Sequence, residues 1–206
     1  MTPPFTVLSV CMGNICRSPM SERLLVLRLS EALAADGDRV DDLLLSHSCG
    51  LGAWHAGEGM TTATAKELRG RGGTDEGFRS RQIGADKVDI SDLILTATTE
   101  QVDYIRFNHP EALERTFLIR DFGGLLSHVD ADGLPPFAVT PEAVQARGAA
   151  IVKAADAVRE RSAGSELDDP WGLDGETYRR IADEIDEALI PFAALLTGGS
   201  HSGGQR

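Results

Sequence analysis

Cysteine, aromatic side chains and positive charge are all scarce in this chain, and each shortage excludes something. Three cysteines, Cys11, Cys16 and Cys49, are an odd number and too few for a disulfide scaffold, so they read as reduced thiols. Lys and Arg number 20 against 32 Asp and Glu, leaving a net charge of −12. No nucleic-acid partner is expected from such a balance, because phosphate backbones are bound by a Lys and Arg surplus. No apolar run approaches the ~20 residues that cross a bilayer. The stretch from Met1 to Val10 lacks the charged start and small-residue cleavage site of a secretory signal. The expectation is a cytoplasmic protein without membrane insertion. What remains, 42% hydrophobic and 25% charged over 206 residues, suits a globular chain with one core.

The pattern of that core alternates. Phe5 to Val10 is an apolar, β-branched run that predicts a buried strand. A helix is predicted from Pro19 to about Ala35, with Ser18 as N-cap, Pro19 in the first turn, and Asp36-Gly37 as its end. Further strands are expected at Leu43–Ser48, Leu93–Ala97 and Thr116–Ile119. Helices are expected at Thr61–Leu68, Thr99–Phe107, Pro141–Arg161 and Glu176–Leu196. Strands alternating with helices argue for an α/β fold, a parallel sheet with helices on both faces. Residues 1–197 read as one domain, with 121–165 as an insertion carrying an extra helix and 198–206 as a disordered tail. Asp121 to Thr140, with Gly123-Gly124, Gly133 and Pro135-Pro136, reads as loop.

In such folds ligands sit at the carboxyl ends of the strands, which directs attention to the first strand-to-helix loop, Cys11-Met12-Gly13-Asn14-Ile15-Cys16-Arg17-Ser18. A loop of this kind turns its amide N–H groups toward a common centre, and the helix N-terminus adds unpaired donors. Gly13 and Asn14 suit the left-handed backbone that a cradle needs. Arg17 offers a fork of donors for two phosphate oxygens. A thiol at Cys11, facing the same donors, is stabilised as a thiolate and so becomes a nucleophile. The loop predicts an anion cradle with a nucleophile at its base. Two other readings use the same cysteines: space-filling core residues, or a zinc site from Cys11, Cys16, Cys49 and His47, for which the spacing is poor.

The run Cys11 to Pro19 resembles the signature of the low-molecular-weight protein tyrosine phosphatases. The likeness continues in Ser48-Cys-Gly, Trp54-His-Ala-Gly57, Arg79-Ser-Arg-Gln82 and Asp169-Pro-Trp171. It implies a four-stranded parallel sheet with the phosphate-binding loop between the first strand and the first helix. It also implies a phosphocysteine intermediate formed without metal or other cofactor, and phosphotyrosine-bearing proteins as substrates. By the same resemblance, Cys11 is the nucleophile and Arg17 binds phosphate and stabilises the transition state. Met12, Gly13, Asn14, Ile15, Cys16 and Ser18 complete the cradle. Ser18 assists the departing sulfur, and Ser48 supports Asn14. Asp169 is the general acid and base.

An acid is needed because tyrosine, with a pKa of about 10, leaves slowly as an unprotonated phenolate. Asp168 is the reserve candidate, and the pair Asp168-Asp169 could instead cap the coming helix. Trp54 and Trp171 are expected as aromatic walls of a narrow cleft that favours a flat phenyl ring. Related phosphatases acting on phosphoarginine carry threonine at the position of Ile15, so Ile15 points to phosphotyrosine. Two positions depart from the family pattern: Phe78 replaces a histidine that helps fix the loop asparagine, and Thr98 an aspartate. Both are expected to shorten the hydrogen-bond network behind Asn14. An arsenate reductase can use a similar loop but needs further cysteines, and Cys49 is the only thiol outside the loop. A cradle that binds phosphorylated partners without turnover is the non-enzymatic alternative. A reversible Cys11–Cys16 disulfide is a further expectation, blocking activity while protecting Cys11.

Overall fold

The computed structural model describes residues 2–34 and 40–199. Four strands, β1 (Phe5–Cys11), β2 (Leu44–Gly50), β3 (Leu93–Thr96) and β4 (Thr116–Leu118), form one parallel sheet in the order β2-β1-β3-β4. The central β1 alternates its side chains between two cores. Phe5 and Val7 enter the larger one with Met20, Leu24, Phe122, Ile185 and Phe192, while Leu8 and Val10 enter the smaller one with Cys49, Ile83, Val88 and Ile105. Being buried on both faces is what makes β1 a continuous apolar run.

The chain leaves β1 toward β2 on one side and later returns to β3 on the other. The carboxyl end of β1 is therefore the topological switch point, where open α/β sheets bind ligands. Helix α1 (Arg17–Leu33) starts there and ends with Ala34 in the left-handed conformation; the Asp36-Gly37 stop signal lies outside the described residues, as does the tail from 200 onward. Helices α2 (Thr62–Gly70), α3 (Ala85–Asp89), α4 (Thr99–Asn108), α5 (Ile119–Leu125), α6 (Pro141–Asp156) and α7 (Gly175–Leu196) follow. None of the helices among the described residues is long and apolar enough to cross a membrane.

Three local expectations are corrected. Ser18 is not the N-cap: α1 begins at Arg17 after Cys16, and the Ser18 hydroxyl turns back onto the loop. The segment after Asp121 is not loop at its start, because Ile119–Leu125 is helical and short 3-10 turns follow at Leu126–His128 and Ala131–Gly133. Gly123 is there for proximity: a Cβ on it would come within 2.8 Å of the Ala188 Cβ on α7. Finally, α6 stops at Asp156 instead of Arg161. Just beyond, Arg159 plants its guanidinium on the carbonyls of Leu113, Glu114 and Thr116, 4.1 Å over the Phe117 ring.

Candidate active site

Cys11 is the last residue of β1 and is almost fully buried. The loop after it is held by its carbonyls. Those of Cys11, Met12 and Ile15 accept from the amides of Leu51, Gly52 and Thr61, and that of Gly13 accepts from the Ser80 hydroxyl. Among the described residues, the amides of Met12 to Cys16 meet no acceptor, so the loop presents a run of free donors. Asn14 takes the left-handed conformation, with φ of 54°. Gly13 does not, contrary to expectation; a Cβ there would press the His55 ring at 3.2 Å, so glycine serves close packing. Gly50 is tighter still, since its Cβ would fall 2.7 Å from the Met12 carbonyl oxygen.

The Asn14 side chain ties the left-handed turn down. Its amide donates to Ser18 Oγ at 2.9 Å and Ser48 Oγ at 2.8 Å, and its Oδ1 accepts from the Arg81 amide at 2.8 Å. The Ser48 hydroxyl in turn donates to Glu22 Oε2 at 2.5 Å. Burial pushes the Glu22 carboxyl above its ordinary value, opposed chiefly by that bond from Ser48. Neither Phe78 nor Thr98 contributes a hydrogen bond to this network. Phe78 is buried and Thr98 closes a capping box on α4 with Gln101, while Glu22 extends the Asn14 chain from the other side. Glu22 went unread in the sequence because a glutamate in a helix ordinarily faces solvent, whereas this one is buried with its neighbours Ser21 and Leu24.

Arg17 is 5% exposed. Its Nη1 donates to the Leu167 carbonyl at 3.1 Å and its Nη2 to Asp169 Oδ2 at 2.7 Å, whereas Nε is buried without a partner. A buried guanidinium N–H left unpaired beside a row of free amides is a site shaped for an anion. A cavity of about 350 Å³ opens there, walled by Cys11, Met12, Ile15, Arg17, Asp169 and the Trp54 and Trp171 rings. Both tryptophans are more than half exposed, so they form the rim and are not core. His55 joins them, its Nδ1 fixed 2.8 Å from Glu58 Oε2. Asp169 Oδ1 accepts from the Trp171 amide, a turn of the kind that Asp-Pro favours. Asp168 faces away and pairs with Arg180 at 2.9 Å. The cap of α7 is Asp174, which removes the capping explanation for Asp168-Asp169.

The remaining cysteines separate. Cys49 packs in the smaller core on the opposite face of the sheet from Cys11 and Cys16, and burial pushes its thiol up to about 12. The zinc grouping does not form, and a disulfide relay from Cys11 to Cys49 has no path. Cys16 turns its sulfur to Tyr178 at 3.6 Å and Thr61 at 3.8 Å, with burial pushing that thiol up as well.

The low molecular weight phosphotyrosine protein phosphatase pattern matches residues 6–146. The chain belongs to that family. Among curated relatives of this phosphatase-family chain is the low molecular weight protein-tyrosine-phosphatase YfkJ of Bacillus subtilis. It is 33% identical over 101 residues, covering 49% of this chain and 61% of that protein's length. A protein-arginine-phosphatase of Geobacillus stearothermophilus is 31% identical over 134 residues, covering 65% of this chain and 80% of the relative. The solved low molecular weight protein tyrosine phosphatase from T. tengcongensis shares the fold at a TM-score of 0.63 and 21% identity, over 91% of this chain and 97% of that one. The family match ends before Asp169, whose place in the cavity wall rests on the geometry alone.

Proposed function

We propose that the protein hydrolyses phosphotyrosine in proteins, and small aryl phosphates, through a phosphocysteine intermediate, in a reducing cytoplasm that keeps its three thiols free. The observation that carries this is that Cys11, Arg17 and Asp169 line one cavity.

In the first step Cys11 Sγ attacks phosphorus. A P–S bond forms, the P–O bond to tyrosine breaks, and the leaving oxygen takes a proton from Asp169. The loop amides and Arg17 hold the equatorial oxygens, where charge spreads in the transition state. A phosphoryl group taken by Arg17 competes for the Nη2 donor that Asp169 holds, so substrate binding releases the carboxyl toward the bridging oxygen. In the second step Asp169, now a carboxylate, takes a proton from water as the water attacks phosphorus. The P–S bond breaks, and the Ser18 hydroxyl, 2.9 Å from the sulfur, receives the thiolate. Ile15, Trp54 and Trp171 give the cavity apolar walls that fit a phenyl ring, which reaches further from the rim than phosphoserine does.

The test is a panel of aryl phosphate, phosphoserine, phosphoarginine and arsenate on wild type, Cys11→Ser and Asp169→Ala. Cys11→Ser should abolish turnover. Asp169→Ala should cost about 10²–10³-fold on phenyl phosphate and far less on a nitrophenyl ester, whose leaving group departs unprotonated. Persistent hydrolysis in Cys11→Ser would sink the proposal. Preference for phosphoarginine would move the chain toward its Geobacillus relative.

A further inference from the structure

Between the end of α6 and the start of α7, residues 162–169 run as an extended strap that pairs with no strand, yet almost every residue of its second half is pinned. The Leu167 amide donates to the Ala97 carbonyl at 2.8 Å, and the Leu167 carbonyl accepts from Arg17. Glu166 Oε1 accepts the Thr99 amide at 2.7 Å, at the N-terminus of α4. Asp168 is held by Arg180 and Asp169 by Arg17. The entry to the strap has one fastening of a different kind. Asp121, in the first turn of α5 and 8% exposed, accepts the Gly164 amide at 3.1 Å with Oδ2 and the Ser165 amide at 3.0 Å with Oδ1. Arg120 beside it donates to the Glu166 carbonyl at 3.3 Å.

A carboxylate that spends both oxygens on two consecutive amides fixes the direction as well as the position of the backbone that follows. Gly164, with φ of 74°, supplies the turn that aims both amides at Asp121. Without that clamp the strap would enter from a free linker, and its remaining pins at residues 166 and 167 would have to absorb the motion. Asp169 lies two residues downstream of those pins, held by Arg17 from α1.

We infer that Asp121 is a positioning residue for the acid: by clamping Gly164 and Ser165 it holds the strap so that Asp169 reaches the bridging oxygen. This rests on the reading of Asp169 as general acid, and it makes α5 part of the catalytic scaffold as well as a layer of the core.

The experiment compares turnover of a series of aryl phosphates with leaving groups from nitrophenol to phenol in wild type, Asp121→Asn, Arg120→Met and Asp169→Ala. Thermal melts and inhibition by inorganic phosphate are measured alongside. Asp121→Asn should lower kcat about tenfold on phenyl phosphate and under about twofold on nitrophenyl phosphate, a fraction of what general-acid catalysis supplies. Inhibition by phosphate, which reads the cradle, should stay within about twofold. A uniform loss across leaving groups, or a loss of phosphate affinity matching the loss in kcat, would show Asp121 to be structural only and overturn the inference. Should Asp121→Asn fail to fold, Arg120→Met carries the same test from a more exposed side chain, and an unchanged leaving-group dependence there overturns it equally. Absence of leaving-group sensitivity in Asp169→Ala would instead refute the assignment of the acid, a separate failure.

Discussion

Ser18 has one proton and two acceptors within reach of it. Its oxygen already accepts the Asn14 amide, so its hydrogen goes either to the Cys49 carbonyl at 3.2 Å or to the Cys11 sulfur at 2.9 Å. A protonated Cys11 donates to Ser18 and leaves the serine proton on Cys49; a thiolate draws it across. The same counting fixes His47 on β2. Ser91 spends its proton on the Lys87 carbonyl at 2.6 Å, so its oxygen accepts from His47 Nε2 at 3.1 Å and the ring is a neutral donor. Burial, reinforced by the charges of Arg81 and Lys87, pushes His47 down from 6.5 to about 4. A depressed folded value means stability that is present above pH 6.5 and is lost as pH falls through about 4. A shift of this size is worth about 3 kcal/mol. Urea denaturation at several pH values between 7 and 4 should show a loss of that order in wild type and a much smaller one in His47→Gln. Parallel pH profiles for the two proteins would refute it.

At the scale of elements, α1, α2 and α7 meet at one buried acid. Asp186, 6% exposed on α7, accepts Arg28 Nε at 2.8 Å and Nη2 at 2.6 Å from α1, and Arg71 Nη1 at 2.8 Å from just past α2. Removing one partner of a buried ion pair strands the other charges, which costs about 3 kcal/mol or more. Asp186→Ala should therefore lower the denaturation free energy by about that amount while leaving kcat per folded molecule unchanged, since the cluster does not touch the cavity; a drop below about 1 kcal/mol would mean that Glu67, Asp183 and solvent take over the arginines. No sequence pattern announces such a contact, because its partners lie 115 and 158 residues apart. The same limit separates what could be read from what could not. Cys11 to Ser18 were legible since strand, loop and helix are consecutive and each residue type has a local job. The Arg17–Asp169 pair spans 152 residues and needed a resemblance to bring it together. Helix α5 was hidden because Gly123 and Gly124 signal a turn, whereas Gly123 is small so that α7 can approach it.

Over the whole molecule, 12 more acidic than basic side chains surround a cavity whose own donors are cationic or amide. The two fields oppose each other at different ranges. On the proposed function, the loop and Arg17 would hold a phosphoryl group within a few Å, but beyond the rim a dianionic substrate would approach a negative body. Glu58, exposed beside the rim residue His55, adds to that repulsion. Charges flanking the phosphotyrosine should then act on encounter more than on chemistry. Peptides with Lys or Arg beside the phosphotyrosine should show kcat/KM about tenfold above Asp- and Glu-flanked ones at about 0.01 M salt, where the screening length is ~30 Å. The gap should close toward 0.3 M or so, as screening falls below the spacing of these charges, while kcat stays common to both series. A preference that survives high salt would point to specific contacts at the rim instead of the field of the whole chain. An acidic preference at low salt would mean that the cradle's own potential reaches past Trp54 and Trp171 and outweighs the net charge.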